Sequence, residues 1–298
     1  MHCVTNIHED LYWLGGSDRQ LAKFENVFPI PRGVSYNAYL VLDEKTVLLD
    51  TVDKAVGERF FENLEFALAG RPLDYVVVNH MEPDHCATLG ELLRRWPGAQ
   101  GVANAKTVPM VSQFFDCDIS NRAVVVKEGD TLCTGRHTFT FLMAPMVHWP
   151  EVMMAYEETE GLLFSADAFG SFGALDGAVF NDENLDPHGL HSELRRYYSN
   201  IVGKYGMQVQ AVLKKAAGLE ISMICPLHGP IWREDLGWLL DKYQKWSSYT
   251  PEENTVAIFY GSMYGNTAEA ADLLAGKLTA AGVKGVTVRD VSKTDVSY

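Results

Sequence analysis

Basic residues are scarce in this 298-residue chain: 25 Lys and Arg stand against 39 Asp and Glu, a formal net charge of −14. Nucleic-acid binding needs clustered Lys and Arg to neutralise phosphates, so the balance argues against that class of partner. Cysteine is sparse too. Cys3, Cys86, Cys117, Cys133 and Cys225 are odd in number and form no C-x-x-C pair, which points neither to a disulfide framework nor to a cysteine-based zinc or iron–sulfur site. Cys86 reads as a buried, inert thiol. No apolar run approaches the roughly 20 residues of a membrane span. The opening Met1-His2-Cys3-Val4-Thr5 lacks the basic and apolar regions of a signal peptide. The expectation is a cytoplasmic protein with no membrane partner. Internal repeats and low-complexity segments are also missing. What is present is ordinary for a globular chain with a real core: 47% hydrophobic and 21% charged residues, enough for one large domain or two smaller ones.

The most informative stretch is His80-Met81-Glu82-Pro83-Asp84-His85, in which four of six residues can bind a metal. An apolar run, Tyr75-Val76-Val77-Val78, precedes it. Leu89, Leu92, Leu93 and Trp96 follow at helical spacing, so the pattern reads as buried strand, ligand-rich loop and helix. Pro83, with fixed φ and no N–H, is expected to keep the loop from becoming helical. Such a loop at the carboxyl end of a strand is a common place for chemistry.

Three further strands are expected to end in candidate ligands. Phe139–Ala144 runs to His148, Gly161–Ala166 to Asp167, and Ile221–Cys225 to His228. Upstream, Asn37–Leu42 and Thr46–Asp50 read as a hairpin, followed by a helix with Phe60, Phe61, Leu64 and Leu68 inward. Downstream, helices are expected over Val108–Phe115, Gln208–Ala217 and Trp232–Trp246, and a strand over Ala123–Val126. Strands early and late with interspersed helices suit two sheets packed face to face, helices outside. His2, His8, His137, His188 and His191 lie away from the strand-end motifs and read as surface or structural residues.

His80, Glu82, Asp84, His85, His148, Asp167 and His228 make a set of four imidazoles and three carboxylates. One ion rarely takes seven such ligands, but two ions can share them with Asp167 between. Two-His-plus-carboxylate coordination with open positions suits Fe(II), and the lack of thiolates speaks against structural zinc.

The combination of H-x-E-x-D-H, H-W-P, F-S-A-D-A-F-G and C-P-L-H-G-P-I-W resembles the flavodiiron proteins (A-type flavoproteins). The resemblance covers essentially the whole chain. It implies an α/β fold: a metallo-β-lactamase-like αββα sandwich followed by the start of a flavodoxin-like doubly wound domain. It implies two Fe, one held by His80, Glu82 and His148, the other by Asp84, His85 and His228, with Asp167 bridging. It also implies an oxidoreductase that reduces O2 to water or NO to N2O. Electrons would be relayed through FMN from a rubredoxin-like or flavin-reductase donor, in a head-to-tail homodimer. Hydrolases on the same fold carry H-x-H-x-D-H. Glu82 stands in place of their second His and makes the site harder and more anionic, which favours iron over zinc. A binuclear zinc hydrolase and an O2-binding diiron sensor are the alternative readings. Tyr197 and Trp149 read as packing residues near the pocket.

The polar stretch 249–254 marks the expected boundary between a diiron domain at 1–248 and a flavodoxin-like segment at 255–298. There Ser262-Met263-Tyr264-Gly265-Asn266-Thr267 follows a strand and opens a helix expected over Ala268–Ala281. This placement offers N–H groups and a helix dipole to a phosphate, and it resembles the FMN-phosphate loop. Only strand, helix and strand fall within 255–298, whereas a flavodoxin has about five parallel strands. FMN is therefore expected to belong to a complete protein and to bind this chain poorly.

Overall fold

Alternation along the strands decides which side chains meet. In Tyr39–Leu42 and Thr46–Leu49, Tyr39, Val41, Val47 and Leu49 enter one buried cluster, while Leu40 and Leu48 enter another. This is the period of two that a pleated strand imposes. The computed structural model describes residues 2–294. Met1 and residues 295–298, the outer ends of the two expected domains, lie outside the described residues.

The first sheet has seven strands in the order Thr5–His8, Leu11–Trp13, Tyr39–Leu42, Thr46–Leu49, Tyr75–Val77, Gln100–Asn104 and Ala123–Val126. The first four are antiparallel neighbours, and from Thr46–Leu49 onward the pairing is parallel. The second sheet orders Thr131–Cys133, Thr138–Met143, Met153–Glu157, Leu162–Phe164 and Met223–Cys225. Phe139, Phe141, Met153, Ala155 and Phe164 from this sheet meet Tyr39, Val41, Leu49, Val77 and Val102 of the first in one core. The outward sets join the buried faces of helices Gly57–Leu68, Leu89–Arg95, Gly206–Ala216 and Leu236–Ser247. This is the αββα sandwich. Among the described residues, no helix is long and apolar enough to cross a membrane.

The expected elements form with small shifts, and two differ for physical reasons. Pro83 does not prevent helix: Pro83–Cys86 is a short helix with Pro83 in its first turn. The missing N–H has no partner to lose at that position, and φ is already set for helix. The helix expected from Trp232 starts at Leu236 instead. Trp232 pairs with Ile224 as an antiparallel bridge, and Asp235 has φ +56. The helix expected from Ala268 begins two residues earlier, as Asn266–Ala280. It lies between parallel strands Val256–Tyr260 and Val286–Asp290, which form a separate two-stranded sheet.

One ion network ties the two sheets at the end of the sandwich formed by their turns. His137, 2% exposed, sits between Asp10 (Nε2 to Oδ2, 2.9 Å) and Glu157 (Nδ1 to Oε1, 3.0 Å), and Arg136 also reaches Asp10 at 2.8 Å. Burial lowers the imidazole's proton affinity, but the two carboxylates outweigh it and push His137 up to about 9. A raised pKa stabilises the fold fully below the unfolded value near 6.5 and loses that contribution as pH rises through 9. The expected outcome is that His137→Asn costs about 2–3 kcal/mol at pH 6 and markedly less at pH 9.5. Urea unfolding of both proteins at the two pH values checks this.

Candidate metal centre

The four expected ligand segments converge at one end of the sandwich. His80 and Glu82 follow strand Tyr75–Val77, and Asp84 and His85 lie in the short helix Pro83–Cys86. His148, Asp167 and His228 follow the strands Thr138–Met143, Leu162–Phe164 and Met223–Cys225. Potential ligand atoms of His80, Glu82, His148 and Asp167 all lie within 4.8 Å of one another, and so do those of Asp84, His85 and His228. The Asp167 carboxylate stands between the two groups. Its Oδ2 is 2.9 Å from His148 Nε2 and 3.5 Å from His80 Nε2. Its Oδ1 is 3.1 Å from His85 Nε2 and 3.8 Å from His228 Nε2.

The donor set fits cations. His85 and His228 face each other Nε2 to Nε2 at 3.0 Å. The Nδ1 of His228 donates to the Ser35 carbonyl at 2.7 Å, so its Nε2 carries the lone pair. Both Asp84 oxygens and Asp167 Oδ1 are buried with no hydrogen-bond partner. Buried oxygens without partners are costly unless something positive meets them. Without metal, protons take that part. Burial lowers proton affinity at His80 and His148, but Asp167, Glu82 and, for His80, Glu151 raise both, His148 to about 9. Burial pushes Asp167 upward, yet His85 and His80 hold it well below the usual carboxylate range.

Braces behind the ligands went unread in the sequence. Asp50, at the end of strand Thr46–Leu49, is buried. It accepts from Asn79 N at 2.8 Å, His80 N at 3.2 Å and Asn79 Nδ2 at 2.7 Å. Burial outweighs these bonds and pushes its carboxyl up to about 6. Thr51 donates from N (3.0 Å) and Oγ1 (2.7 Å) to the His85 carbonyl. Asn37 donates through Nδ2 to the carbonyls of Pro226 (2.9 Å) and Gly229 (2.8 Å), on either side of His228. Gly229 has φ +73, and a Cβ there would lie 2.1 Å from Ser171 Oγ, so only glycine closes this turn. Glu151 accepts from His80 Nδ1 and Met81 N, both at 2.9 Å. A polar residue directly after a strand or a ligand motif was the available signal for Asp50 and Glu151. Nothing in the sequence marked Asn37.

Aromatic rings wall the centre. Phe24, Tyr36 and Tyr197 lie 5.3, 5.7 and 5.4 Å from the His228 ring, and Trp149 lies 5.4 Å from His80. Tyr197 packs as expected, but its buried hydroxyl has no partner. Glu25 lies in the turn after Phe24, close to Glu82. Burial of its carboxyl and the Glu82 charge push it up to about 7. Cys86 is the inert thiol expected: it is buried, donates to the Met81 carbonyl at 3.1 Å, and is pushed up to about 12.

The loop Ser262–Thr267 belongs to the separate two-stranded unit. Gly265, at φ +97, precedes helix Asn266–Ala280, and Gly265 N donates to Ser262 Oγ at 3.0 Å. Asn266 and Thr267 open the helix. Met263 and Tyr264 are 85% and 88% exposed. The helix start leaves its first backbone N–H groups without intrahelical partners, an arrangement suited to an anion, while these two side chains stand mostly in solvent.

A profile described as ODP family beta lactamase matches residues 34–229. The chain is 36% identical over 279 residues to an anaerobic nitric oxide reductase flavorubredoxin of Aeromonas hydrophila, a match covering 92% of this chain and 55% of the relative. It therefore spans about half the length of the curated relatives it matches. Among solved structures, the rubredoxin oxygen:oxidoreductase of Desulfovibrio gigas superposes with a TM-score of 0.91 at 31% identity, over 99% of this chain and 73% of the other. The flavodiiron protein of Giardia intestinalis gives 0.90 at 26% identity, over 99% and 71%. With more than half of its residues under the family profile and a 31% identical relative covered over most of its length, the chain belongs to the flavodiiron family, on an ODP-type beta-lactamase fold.

Proposed function

We propose that this chain carries the diiron half of an oxidoreductase that reduces O2 to water, NO to N2O, or both. The observation that supports this most is the pair of ligand groups meeting at Asp167. In this reading His80, Glu82 and His148 hold one iron, Asp84, His85 and His228 the other, and Asp167 bridges. Bound ferrous ions would offer open positions for the gas and one electron each, the remainder coming from the external donor. The chain's own residues fix the ligands through Asp50, Asn37 and Glu151, and the aromatic walls limit water. Residues 1–248 form the diiron domain, 249–254 the linker, and 255–298 the flavodoxin-like segment. That segment's loop Ser262–Thr267 is the candidate holder of an FMN phosphate. FMN would pass on electrons from a rubredoxin-like or flavin-reductase donor, within a homodimer. Five unpaired cysteines suit a reducing compartment, the cytoplasm.

The deciding experiment purifies the chain without air from cells given both iron and zinc. It then measures metal content, and O2 and NO consumption with a chemical reductant. About two irons per chain with gas consumption is expected. Zinc with lactam or thioester hydrolysis would move the chain to the hydrolases. Iron that binds O2 without turnover would make it a sensor.

Metal binding must displace protons from the imidazoles, because His148, raised to about 9, is protonated at neutral pH in the metal-free chain. Apparent affinity is therefore expected to rise with pH between 6 and 8, by about tenfold per unit for each proton released. Competition against a chelator at several pH values reads the slope. Glu82→His restores a nitrogen at the position where zinc hydrolases have one. It is expected to shift the zinc-to-iron ratio toward zinc by about tenfold or more, as read by loading the two proteins from a mixed-metal solution.

A further inference from the structure

The two ligand groups are backed differently. Glu151 is 1% exposed, and its Oε1 accepts from His80 Nδ1 and Met81 N, both at 2.9 Å. Its Oε2 has no hydrogen-bond partner, so no neighbouring donor diverts its charge. Asn104 Nδ2 donates to the Glu151 carbonyl and holds the residue in place. In the other group, His228 Nδ1 donates only to the neutral Ser35 carbonyl at 2.7 Å, and His85 Nδ1 has no partner. Asp50 is near enough to His85 to feel its charge, but it makes no hydrogen bond to His85 Nδ1, its oxygens accepting from Asn79 and the His80 N–H instead.

We infer that Glu151 is a positioning residue that makes the two ion sites inequivalent: His80, Glu82 and His148 hold their ion more tightly and favour its higher oxidation state. A carboxylate behind an imidazole fixes the tautomer with Nε2 as ligand and makes that nitrogen a stronger donor. A carbonyl dipole fixes the tautomer but adds no net charge. The inference rests on the two-ion reading above. It adds an order of binding and of oxidation that the ligand set alone does not contain.

Glu151→Gln keeps the side chain's shape and removes its charge, while Glu151→Asp keeps the charge. The full chain, loaded with two ferrous ions without air, is titrated with a chelator and separately through its redox range. In the unaltered chain the ions are expected to leave in two resolved steps. With Glu151→Gln, one ion is expected to bind about 10–100-fold more weakly while the other is unchanged, and the first iron to oxidise does so at a higher potential. Glu151→Asp is expected to keep that potential closer to the parent than Gln does. Equal weakening of both ions, or no change in affinity and potential, overturns the inference. The unaltered chain gives a second test should the variant fail to fold. One equivalent of iron is expected to produce a single Mössbauer species, and an even mixture of two overturns the inference. A chain that takes up no iron at all overturns the two-ion reading, and this inference with it.

Discussion

Three carboxylates and four imidazoles share one end of this sandwich, and they can do so only with positive charge among them. Asp167 carries the constraint most plainly. It is fully buried, within 3.8 Å of four imidazole nitrogens, and one of its oxygens has no hydrogen-bond partner. An isolated carboxylate in such a place would cost several kcal/mol. In the metal-free chain, raised histidine pKa values supply the countercharge. Metal ions would supply it more fully, because each can answer several donors at once. The same residues that make the site expensive when empty of charge make it selective for cations.

The fold meets that cost by assigning the bracing to the strands themselves. Asp50 ends one strand and holds the backbone of the next strand's loop. Asn37 precedes a third strand and grips both flanks of His228 through carbonyls. Glu151 follows His148 by three residues but turns back to His80, coupling ligands from the two sheets. Asp50 ties neighbouring strands of one sheet, but Asn37 and Glu151 join segments of different sheets, so the site is complete only when both sheets have packed. This explains why the ligands can be so poorly solvated and yet so well placed: core burial provides the free energy, and the hydrogen bonds provide the geometry.

The convergence of the candidate ligands was legible in the sequence because each follows an apolar strand, and strand-end polar residues converge when strands stack. The sandwich was legible from the same runs. Pro83 misled because its local rule has an exception at helix starts, and whether a helix starts there depends on room around the loop. The helix before Leu239 was extended too far because Trp232 is as suited to a bridge as to a helix, and only its pairing with Ile224 decides. Asn37 was invisible: an asparagine beside a tyrosine in a strand carries no mark of the two carbonyls it will meet. Glu25 likewise lies in a turn with no pattern, between the paired strands Lys23–Phe24 and Phe28–Pro29, and only the fold brings it near Glu82.

The size of the opening bears on which chemistry the centre can perform. His80, Asp167 and His228 are completely buried, and His85, His148 and Glu82 are at most 8% exposed. A hydrolase on this fold must admit an acyl or lactam group to the metals and hold it by polar contacts. Here Phe24, Tyr36, Tyr197 and Trp149 crowd the imidazoles instead. Glu25, a further titratable group beside Glu82, is a carboxyl raised to about 7 by burial and the Glu82 charge, not a cation. Such walls enclose the two groups of side chains in ring surface. Burial and ring packing thus restrict access to the centre, while Glu82 makes it more anionic than an imidazole at that position would.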